Sequence, residues 1–375
     1  MKVALVLEQF DWRKGGLESW TWQFAQQLLR AGLEVHIVAF DLHPSAGELG
    51  IIAHRLERPS SRLKRALAFE QYLRGLDVDV IHDMGVGWYA DIFHPHGGSS
   101  IATRNHNLLR IPRWRRFTFW SSGRRREMQE IERRQHANPG AVTIAVSGMV
   151  KDHLQTLHHL SDAKIRVIYN GVDLERFSPA HQDLFRKERR SELGLGDDEV
   201  LFFLLAHNLR LKNAATLIRS AGLLAGRNER LRVVIAGNDR AEPYRRLASK
   251  AGAGGVVSFL GLVDPVQYYA SADVCVLPTW YDPCSLFTLE ALASGLPVIT
   301  TKYNGASELM IEGTHGYILD DPGNPAALAA KMAALLDSQT RSKMSTAARQ
   351  LALAHSFERQ TADFIGLYRE ICTKR

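Results

Sequence analysis

The chain has 375 residues, of which 45% are hydrophobic and 23% are charged, and its formal net charge is +7. This composition is typical of a globular protein in water, and the length suits two domains better than one core. No apolar run reaches the ~18–20 residues of a transmembrane helix, and the N-terminal run meets Glu8 too early for a signal peptide. The cysteines (Cys275, Cys284 and Cys372) are odd in number and lack metal-ligand spacing, which favours a reducing, cytoplasmic compartment.

The positive charge is concentrated in one segment. Residues 110–134 contain nine arginines and three glutamates, which gives +6 and leaves the rest of the chain close to neutral. Four aromatic residues lie among these arginines: Trp114, Phe117, Phe119 and Trp120. This mixture could bind nucleic acid or could form a pair of solvated helices, but rings beside arginines are costly to leave in water. An anionic membrane surface accepts both kinds of side chain, so residues 110–134 are predicted to bind a membrane and no nucleic acid.

The first half of the chain alternates short apolar segments with helical patterns. Segments that read as strands lie at 3–7, 35–40, 79–82, 90–94, 143–147 and 165–173. Helical patterns lie at 18–31 and 61–75, and Gly32 is a stop signal for the first of them. Residues 174–198 are rich in charge and read as a linker.

The second half repeats this alternation. Strands are predicted at 200–206, 232–237, 257–261, 273–278, 297–300 and 316–319, and helices at 213–226, 243–251, 285–294, 325–336, 340–354 and 357–372. Alternation of this kind indicates parallel βαβ units. The chain is therefore predicted to be α/β, with two doubly wound, Rossmann-like domains facing each other across a cleft. The predicted bounds are 1–177 and 178–355, with a final helix (356–375) that packs back on the first domain.

The loop after strand 273–278 and the helix that follows it carry the first candidate site, since ligands of open α/β sheets bind at the carboxyl ends of strands. Asp282 lies in the loop, and either Cys284 or Ser285 caps the helix. The N–H groups of Cys284, Ser285 and Leu286 are predicted to be free to bind an anion. Asp282 could bind sugar hydroxyls and Glu290 a ribose diol; alternatively, Asp282 is a turn residue and Glu290 a solvated helix acid.

The same stretch resembles the retaining glycosyltransferases of family 4, whose fold is called GT-B. Their signature is two acids separated by seven residues, a helix end with Ala and Gly, and a Pro-Val strand. Here Asp282 and Glu290 are followed by EALASGLPVI. The first acid of the family is normally Glu. Asp282 departs from this pattern, and its side chain is one methylene shorter, which would change the contact with the sugar.

The resemblance extends to the loop LLAHNLRLKN (204–213), where the family places an Arg and a Lys on the donor diphosphate. Lys212 matches the lysine, but His207 occupies the arginine position, and Arg210 is the candidate to replace the missing guanidinium. A solvated basic loop is the alternative. The segment KGGLE (14–18) matches the family's first loop, where Gly15 and Gly16 would let backbone approach a phosphate or the acceptor.

Two further loops match the family. FLGLV (259–263) matches the loop whose backbone reads the base, which makes Leu262 and Val263 candidate donor-binding residues. FHPHGG (93–98) matches the place of a histidine beside the transferred sugar, for which His96 fits best and His94 is the alternative. Either histidine could instead be a buried structural residue. The acids of DVD (77–79) are predicted to border a strand and not to bind a metal.

The resemblance implies a retaining hexosyltransferase without metal or other cofactor, whose donor-binding domain is the second. UDP-glucose is the first candidate donor, ahead of UDP-GlcNAc and UDP-galactose, and the acceptor would be a lipid-linked glycan. Within the family, the form WYDPCSL and the basic region most resemble lipopolysaccharide core glucosyltransferases that act on heptose. The protein would then be cytoplasmic and peripheral on the inner face of the cell membrane. The alternative is a catalytically degenerate membrane-binding protein; a glycosidase would leave the basic and Gly-rich loops without a role.

Overall fold

The chain forms two units in a computed structural model, which describes residues 1–111, 123–226 and 230–374. The first unit comprises Met1–Tyr169 and Phe357–Arg375, and the second comprises Asn170–Ser356. Each unit is built on a parallel sheet with helices between successive strands. The predicted pair of doubly wound α/β domains is confirmed.

The first unit contains nine strands and five helices before the second unit begins, counted over the described residues. The strands are β1 (Lys2–Val6), β2 (Gln9–Phe10), β3 (Glu34–Ala39), β4 (Asp41–Leu42), β5 (Ile52–Arg55), β6 (Val80–Asp83), β7 (Ile92–Phe93), β8 (Val142–Ala145) and β9 (Ile165–Val167). The helices are α1 (Gly16–Arg30), α2 (Arg62–Leu73), α3 (Ser100–Leu109), α4 (Gly123–Ala137) and α5 (Gly148–His158). The main sheet has the order β5-β3-β1-β6-β7-β8-β9, and the short strands β2 and β4 pair separately.

The second unit contains the next six strands and seven helices of the described chain. The strands are β10 (Val200–Leu205), β11 (Leu231–Ala236), β12 (Val257–Phe259), β13 (Val274–Leu277), β14 (Val298–Thr301) and β15 (Gly316–Leu319). The helices are α6 (His181–Glu192), α7 (Ala214–Ala225), α8 (Glu242–Lys250), α9 (Pro265–Ser271), α10 (Leu286–Ala293), α11 (Pro325–Ala334) and α12 (Ser338–Leu353).

The strand order of the second unit identifies the edge where a ligand would bind. The order β12-β11-β10-β13-β14-β15 is that of a dinucleotide-binding sheet, in which the chain reverses direction across the sheet between its first and fourth strands. Strands β10 and β13 are those two neighbours, and they pair in parallel. The loops at their carboxyl ends, 206–213 and 278–285, therefore border the switch point of this sheet.

The last helix of the chain, α13 (Phe357–Thr373), belongs to the first unit. Gln360 accepts a hydrogen bond of 3.0 Å from the indole of the buried Trp20, which lies on α1. Tyr368 hydrogen-bonds the Nδ1 atom of His82, on β6, at 2.6 Å. These polar contacts in a buried setting fix the position of α13 against helix α1 and the sheet.

The segment 174–198, which the sequence analysis read as a linker, contains helix α6. Its charge is not a sign of solvent exposure, because Arg186 and Arg190 both donate to the carboxylate of Asp273, at 2.6 and 3.0 Å. Arg190 is buried and also binds the carbonyl oxygens of Gly196 and Glu199. Long arginine stems can cover apolar surface, so a charged pattern here hides a packed helix. Helices α3, α5 and α9 were likewise not predicted.

Helix α7 provides a stability test with a matched control. A Cβ at Gly222 would overlap with the carbonyl group of Ala251, at the end of α8, whereas a Cβ at Gly226 would meet nothing within 4 Å. We expect Gly222→Ala to lower the free energy of unfolding by ~1–3 kcal/mol, a typical cost of overpacking. Gly226→Ala should be neutral or stabilising by about 0.4–1 kcal/mol. Urea denaturation of both variants checks this, and equal midpoints would contradict the packing of α7 against α8.

Candidate functional site in the second unit

A lysine and an aspartate meet at the switch point of the second sheet. The ammonium group of Lys212, in the loop after β10, donates to Oδ2 of Asp282, in the loop after β13. The next residue, Asn213, has a left-handed backbone (φ 58°), and its amide donates to the carbonyl oxygens of Pro278 and Pro322. Asn213 thus ties the loop that carries Lys212 to the loop that carries Asp282. The lysine and the aspartate were expected to bind different parts of a ligand, and their pairing was not predicted from the sequence.

The loop after β14 also holds the backbone of Asp282. Its N–H donates to the carbonyl oxygen of Tyr303 at 2.9 Å, and its own carbonyl accepts from the N–H of Gly305 at 2.8 Å. The Asp282 side chain is 10% exposed and that of Lys212 is 23% exposed. A partly buried ion pair of this kind keeps a cation and a carboxylate ready at one place, and an anionic ligand could displace the carboxylate.

Helix α10 begins beside this pair, and its cap is Ser285. The Ser285 hydroxyl accepts from the N–H of Thr288 at 3.3 Å, so the alternative cap, Cys284, is not used. The N–H of Ser285 donates to the side chain of Asn304 at 3.2 Å, and the carbonyl oxygen of Cys284 accepts from Asn170 at 2.8 Å. The prediction of three free N–H groups is therefore wrong for Ser285, because Asn304 already satisfies it.

The remaining N–H groups at this helix end belong to Cys284 and Leu286. Among the described residues the structure shows no acceptor for either group, so both are available to an anion. The Cys284 thiol is not a candidate nucleophile, because burial raises its pKa to about 12. Leu286 is half-buried, at the first position of α10.

Glu290 is neither solvated nor unpartnered. It lies on α10 with a half-buried side chain, and its Oε2 atom accepts from the phenol of Tyr269 at 2.8 Å. Burial raises the pKa of Glu290, and the hydrogen bond from Tyr269 opposes that shift. The alternative of a solvated helix acid is therefore wrong. Tyr269 was missed by the sequence analysis, and no local pattern marks it, since it comes from α9.

The other predicted donor-binding residues lie in exposed loops at the same edge of the sheet. His207 follows β10, and its Nδ1 atom lies 3.0 Å from the side-chain oxygen of Asn238, which follows β11. Arg210 is exposed in the same loop as Lys212. Leu262 and Val263 follow β12, and Leu262 is 70% exposed, so no packing role explains its position. The structure thus brings these four residues and the Lys212–Asp282 pair to one edge.

Candidate residues in the first unit

Helix α1 begins in the glycine pair of the first loop. Gly15 is the N-cap, with an extended backbone and no side-chain cap, and Gly16 is the first helical residue. A Cβ at Gly15 would lie 2.8 Å from a carboxylate oxygen of Glu18, so the missing side chain makes room for Glu18 over the helix end. Burial raises the pKa of Glu18. The glycines were predicted to let backbone approach a ligand, and in this structure a carboxylate lies there.

His96 and His94 are stacked, with ring centroids 3.9 Å apart, and both rings meet Trp20 edge-on. His94 is fully buried and its Nδ1 atom lies 3.2 Å from Nε2 of His82, whereas His96 keeps partial exposure. Burial lowers the pKa of His96 to about 3, so its ring is neutral at neutral pH. Its Nε2 atom has no hydrogen-bond partner among the described residues. The Nε2 atom of His94 is likewise buried and without a partner in the described chain, so the choice of His96 over His94 as the histidine beside the sugar stays a prediction.

The basic region is described only in part, because residues 112–122 lie outside the described residues, including Trp114, Phe117, Phe119 and Trp120. Helix α4 covers the C-terminal portion. Glu130 binds Arg133 and Arg134 there, each at less than 3 Å, and Arg134 also lies over the ring of Trp88. These pairs reduce the positive field at the end of α4. Arg125 and Arg126 lie closer to its beginning.

Two classes of feature are absent from the described residues. No described helix is both long and apolar enough to cross a membrane. No group of three or more histidine, cysteine, aspartate or glutamate side chains in the described ranges is placed to hold a metal ion. Asp77 and Asp79, the acids of DVD, both accept hydrogen bonds from Lys2.

Comparison with known proteins

Each unit matches one family model. The model described as Glycosyltransferase Family 4 matches residues 14–176, and the model described as Glycosyl transferases group 1 matches residues 185–351. The first match spans the glycine pair and the histidines, and the second spans the Lys212–Asp282 pair. The chain is a glycosyltransferase of the GT-B fold.

Relatives and solved structures agree with this assignment. This glycosyltransferase is 26% identical to a D-inositol 3-phosphate glycosyltransferase of Corynebacterium urealyticum, over 96% of this chain and 91% of the relative. It is also 26% identical to an uncharacterized glycosyltransferase of Methanocaldococcus jannaschii, over 88% and 87% of the two chains. WaaG, a glycosyltransferase involved in lipopolysaccharide biosynthesis, has a similar structure, with a TM-score of 0.82, 17% identity and coverage of 98% and 99%. Anabaena HepE in complex with UDP and glucose gives a TM-score of 0.74 and 19% identity, over 99% of each chain.

Proposed function

We propose that this glycosyltransferase moves a hexose, glucose as the first candidate, from UDP to a membrane-anchored glycan such as lipopolysaccharide core, with retention of configuration and without a metal. The observation that carries the proposal is the Lys212–Asp282 pair at the switch point of the second sheet. At this point a cation that could bind a diphosphate is in direct contact with a carboxylate that could bind sugar hydroxyls. A binding domain that does not take a nucleotide sugar would not need this arrangement.

The departing diphosphate would be stabilised by three groups. Lys212 and Arg210 supply positive charge, and the N–H groups of Cys284 and Leu286 supply the dipole end of α10. When the donor binds, Lys212 would exchange the carboxylate of Asp282 for phosphate oxygens. Asp282 would then be free to accept hydrogen bonds from the hexose.

The rest of the donor would be held by the neighbouring loops. Glu290 would accept hydrogen bonds from the ribose diol, and the backbone at Leu262 and Val263 would bind the base, with His207 beside the diphosphate. His96 would lie beside the hexose, where a neutral ring can accept or donate one hydrogen bond. Gly15 and Gly16 would let the start of α1 approach the acceptor.

The reaction would proceed by attack on the face that the diphosphate leaves. The acceptor oxygen forms a bond to the anomeric carbon while the bond from that carbon to the diphosphate oxygen breaks. The acceptor proton passes to the departing diphosphate, which acts as the base. This course needs no carboxylate nucleophile, and Asp282 would accept hydrogen bonds from the hexose instead.

The identity of the donor and acceptor is supported by similar proteins. HepE is described in complex with UDP and glucose, and WaaG acts in lipopolysaccharide biosynthesis. The D-inositol 3-phosphate glycosyltransferases favour a second candidate acceptor, a soluble polyol phosphate. The two departures from the family pattern, His207 and Asp282, favour the other alternative, a degenerate protein kept for its membrane surface.

A donor screen by thermal shift separates these possibilities. A nucleotide sugar at a hundred times its Kd adds ~2.7 kcal/mol to stability, which raises the melting temperature measurably. We expect UDP-glucose to stabilise the protein, and more than GDP- or ADP-glucose does. Absence of stabilisation by every nucleotide sugar, with a folded protein, would favour the degenerate alternative.

The membrane partner is proposed on the charge of residues 110–134, and the protein would be peripheral on the inner face of the cell membrane. We expect reversible sedimentation with anionic liposomes and weak sedimentation with neutral ones, because each basic residue near the surface contributes ~1 kcal/mol. Replacing Arg124, Arg125 and Arg126 with Ser should abolish most of the binding. The matched control replaces Arg240, Arg246 and Arg359 with Ser, which removes the same charge elsewhere. Indifference to salt, or equal loss in both triple variants, would contradict the proposal.

A further inference from the structure

A small polar cavity lies at the opposite edge of the second sheet from Lys212 and Asp282. It has a volume of about 260 Å³ and opens at the amino ends of β13 and β14, between helices α6 and α12. Its polar lining is Gln182, Arg186, Asp273, Ser338, Arg341, Ser342 and Ser345. No residue of the proposed donor site contributes to it.

The single carboxylate of the lining is already occupied. Asp273 accepts from Arg186 through Oδ1 at 2.6 Å and from Arg190 through Oδ2 at 3.0 Å. Its Oδ2 atom also accepts from the backbone N–H of Leu201 at 2.7 Å. One negative charge is therefore shared between two guanidinium groups. Of these only Arg186 lines the cavity, and Arg341 is the second guanidinium of the lining.

Arg341 lies in the first turn of α12, where its Nη1 atom donates to the carbonyl oxygen of Leu335 at 2.8 Å. Burial lowers the pKa of Arg341; Asp273 opposes that shift, and the cations Arg230 and Arg186 add to it. The other nearby acid, Asp337, caps α12 by accepting from the N–H and the hydroxyl of Thr340. Positive charge at this cavity thus exceeds the negative charge that its acids supply.

We propose that this cavity binds a small soluble oxyanion of the phosphate class, held by the guanidinium groups of Arg186 and Arg341 and by the hydroxyls of Ser338 and Ser342. Guanidinium forks match phosphate oxygens, and two hydroxyls at the rim can donate to the remaining ones. The cavity is smaller than the ~300–1,000 Å³ of sites for drug-sized ligands, which favours a phosphate group over a nucleotide. The ligand is inorganic phosphate or the phosphate of a small metabolite.

Binding would join α6 to α12 and to the loops before β13 and β14. Anything that binds only the folded state stabilises it in proportion to the logarithm of its concentration. The second unit would therefore gain stability from phosphate at a place separate from its donor site. This holds whether or not the protein transfers glucose, because no donor-binding residue is involved.

Calorimetric titration with inorganic phosphate tests the proposal. The protein carries Lys212→Ala, which weakens phosphate binding at the proposed diphosphate position. We expect saturable binding of one phosphate, and a loss of affinity of roughly ten- to a hundredfold in Arg341→Gln, the usual effect of losing a charge-assisted hydrogen bond. Ser342→Glu, an exposed position, should weaken binding similarly by adding a negative charge without removing an arginine from the fold.

The matched control is Arg246→Gln, which removes an exposed guanidinium of the same unit that is paired only with Glu242 in the described part of the chain. It should bind phosphate like the parent protein. A parallel titration with glycerol 1-phosphate distinguishes the sources: tighter binding than inorganic phosphate assigns the site to a phosphomonoester, and weaker binding assigns it to the free ion. Absence of saturable binding, or equal affinity in Arg341→Gln and the parent, would overturn the proposal.

Discussion

Lys212→Ala is expected to lose most transferase activity, with kcat reduced by about a hundred- to a thousandfold, the usual cost of removing one group that stabilises a developing charge. The lysine supplies a cation at the switch point of the second sheet, and its removal leaves the core untouched. It also leaves Asp282 without its partner, so some loss of stability accompanies the loss of rate. Initial rates of sugar transfer measure the first effect, and urea denaturation measures the second.

A control is available in a second lysine–acid pair of the same unit. Lys331 pairs with Glu312, and its side chain is 24% exposed against 23% for Lys212. Lys331→Ala removes an equivalent charge from helix α11 and should leave kcat unchanged. If Lys212→Ala and Lys331→Ala are equally active, the loop after β10 does not bind the diphosphate.

Glu290→Ala is expected to weaken the binding of UDP and of the whole donor alike. The carboxylate would accept from the ribose diol, and losing one charge-assisted hydrogen bond costs ~1.5–3 kcal/mol, roughly ten- to a hundredfold in affinity. Tyr269→Phe is the matched control, because it removes the phenol that donates to Glu290 but keeps the carboxylate. Calorimetry with UDP should show a large loss for the first variant and a small one for the second; the reverse order would contradict the role of Glu290.

The pH dependence of UDP binding gives a second, independent test of the role of Glu290. Burial raises the pKa of Glu290, so the carboxylate becomes protonated at a higher pH than an ordinary glutamate as the pH falls. UDP binding should therefore weaken on acidification before ordinary carboxylates titrate. The stability of the fold should change in the opposite direction. An acid whose pKa is raised in the folded state lowers the free energy of unfolding as the pH rises. Glu290→Gln should thus stabilise the protein at neutral pH while it weakens UDP binding.

The sheets could be predicted from the sequence because their strands are buried on both faces. Such strands read as continuous apolar runs, and 200–206 and 273–278 differ from the observed β10 and β13 by one residue at each end at most. Helix α6 could not be predicted, because the arginines that make the segment look solvated are bound to Asp273, about eighty positions away. The charge of a segment does not show which residues its side chains contact in the folded protein.

The candidate site, like the fold, could be predicted from the sequence only in part. Strand order places at one edge the loops that carry Lys212 and Asp282 and the start of helix α10, which carries Glu290, and the sequence was sufficient to find these elements. The partners inside the site were not predictable: Lys212 meets Asp282 across 70 positions, and Tyr269 reaches Glu290 from another helix. Asn304 was missed as well, although an Asn-Gly pair after a strand was a visible turn signal. The roles of these residues toward a ligand remain predictions.

Transfer itself is the most direct measurement of the central claim. The protein is incubated with UDP-glucose and heptose-bearing lipopolysaccharide core that lacks its outer sugars, and the product is examined by mass spectrometry and by NMR of the new anomeric centre. We expect a mass increase of one hexose, release of an equal amount of UDP, retained α configuration, and none of these with Lys212→Ala. Release of UDP without glycan product means that water has accepted the hexose in this assay, and a polyol phosphate is then the next acceptor to test. An inverted product, or full activity in the Lys212→Ala variant, would contradict the proposed mechanism.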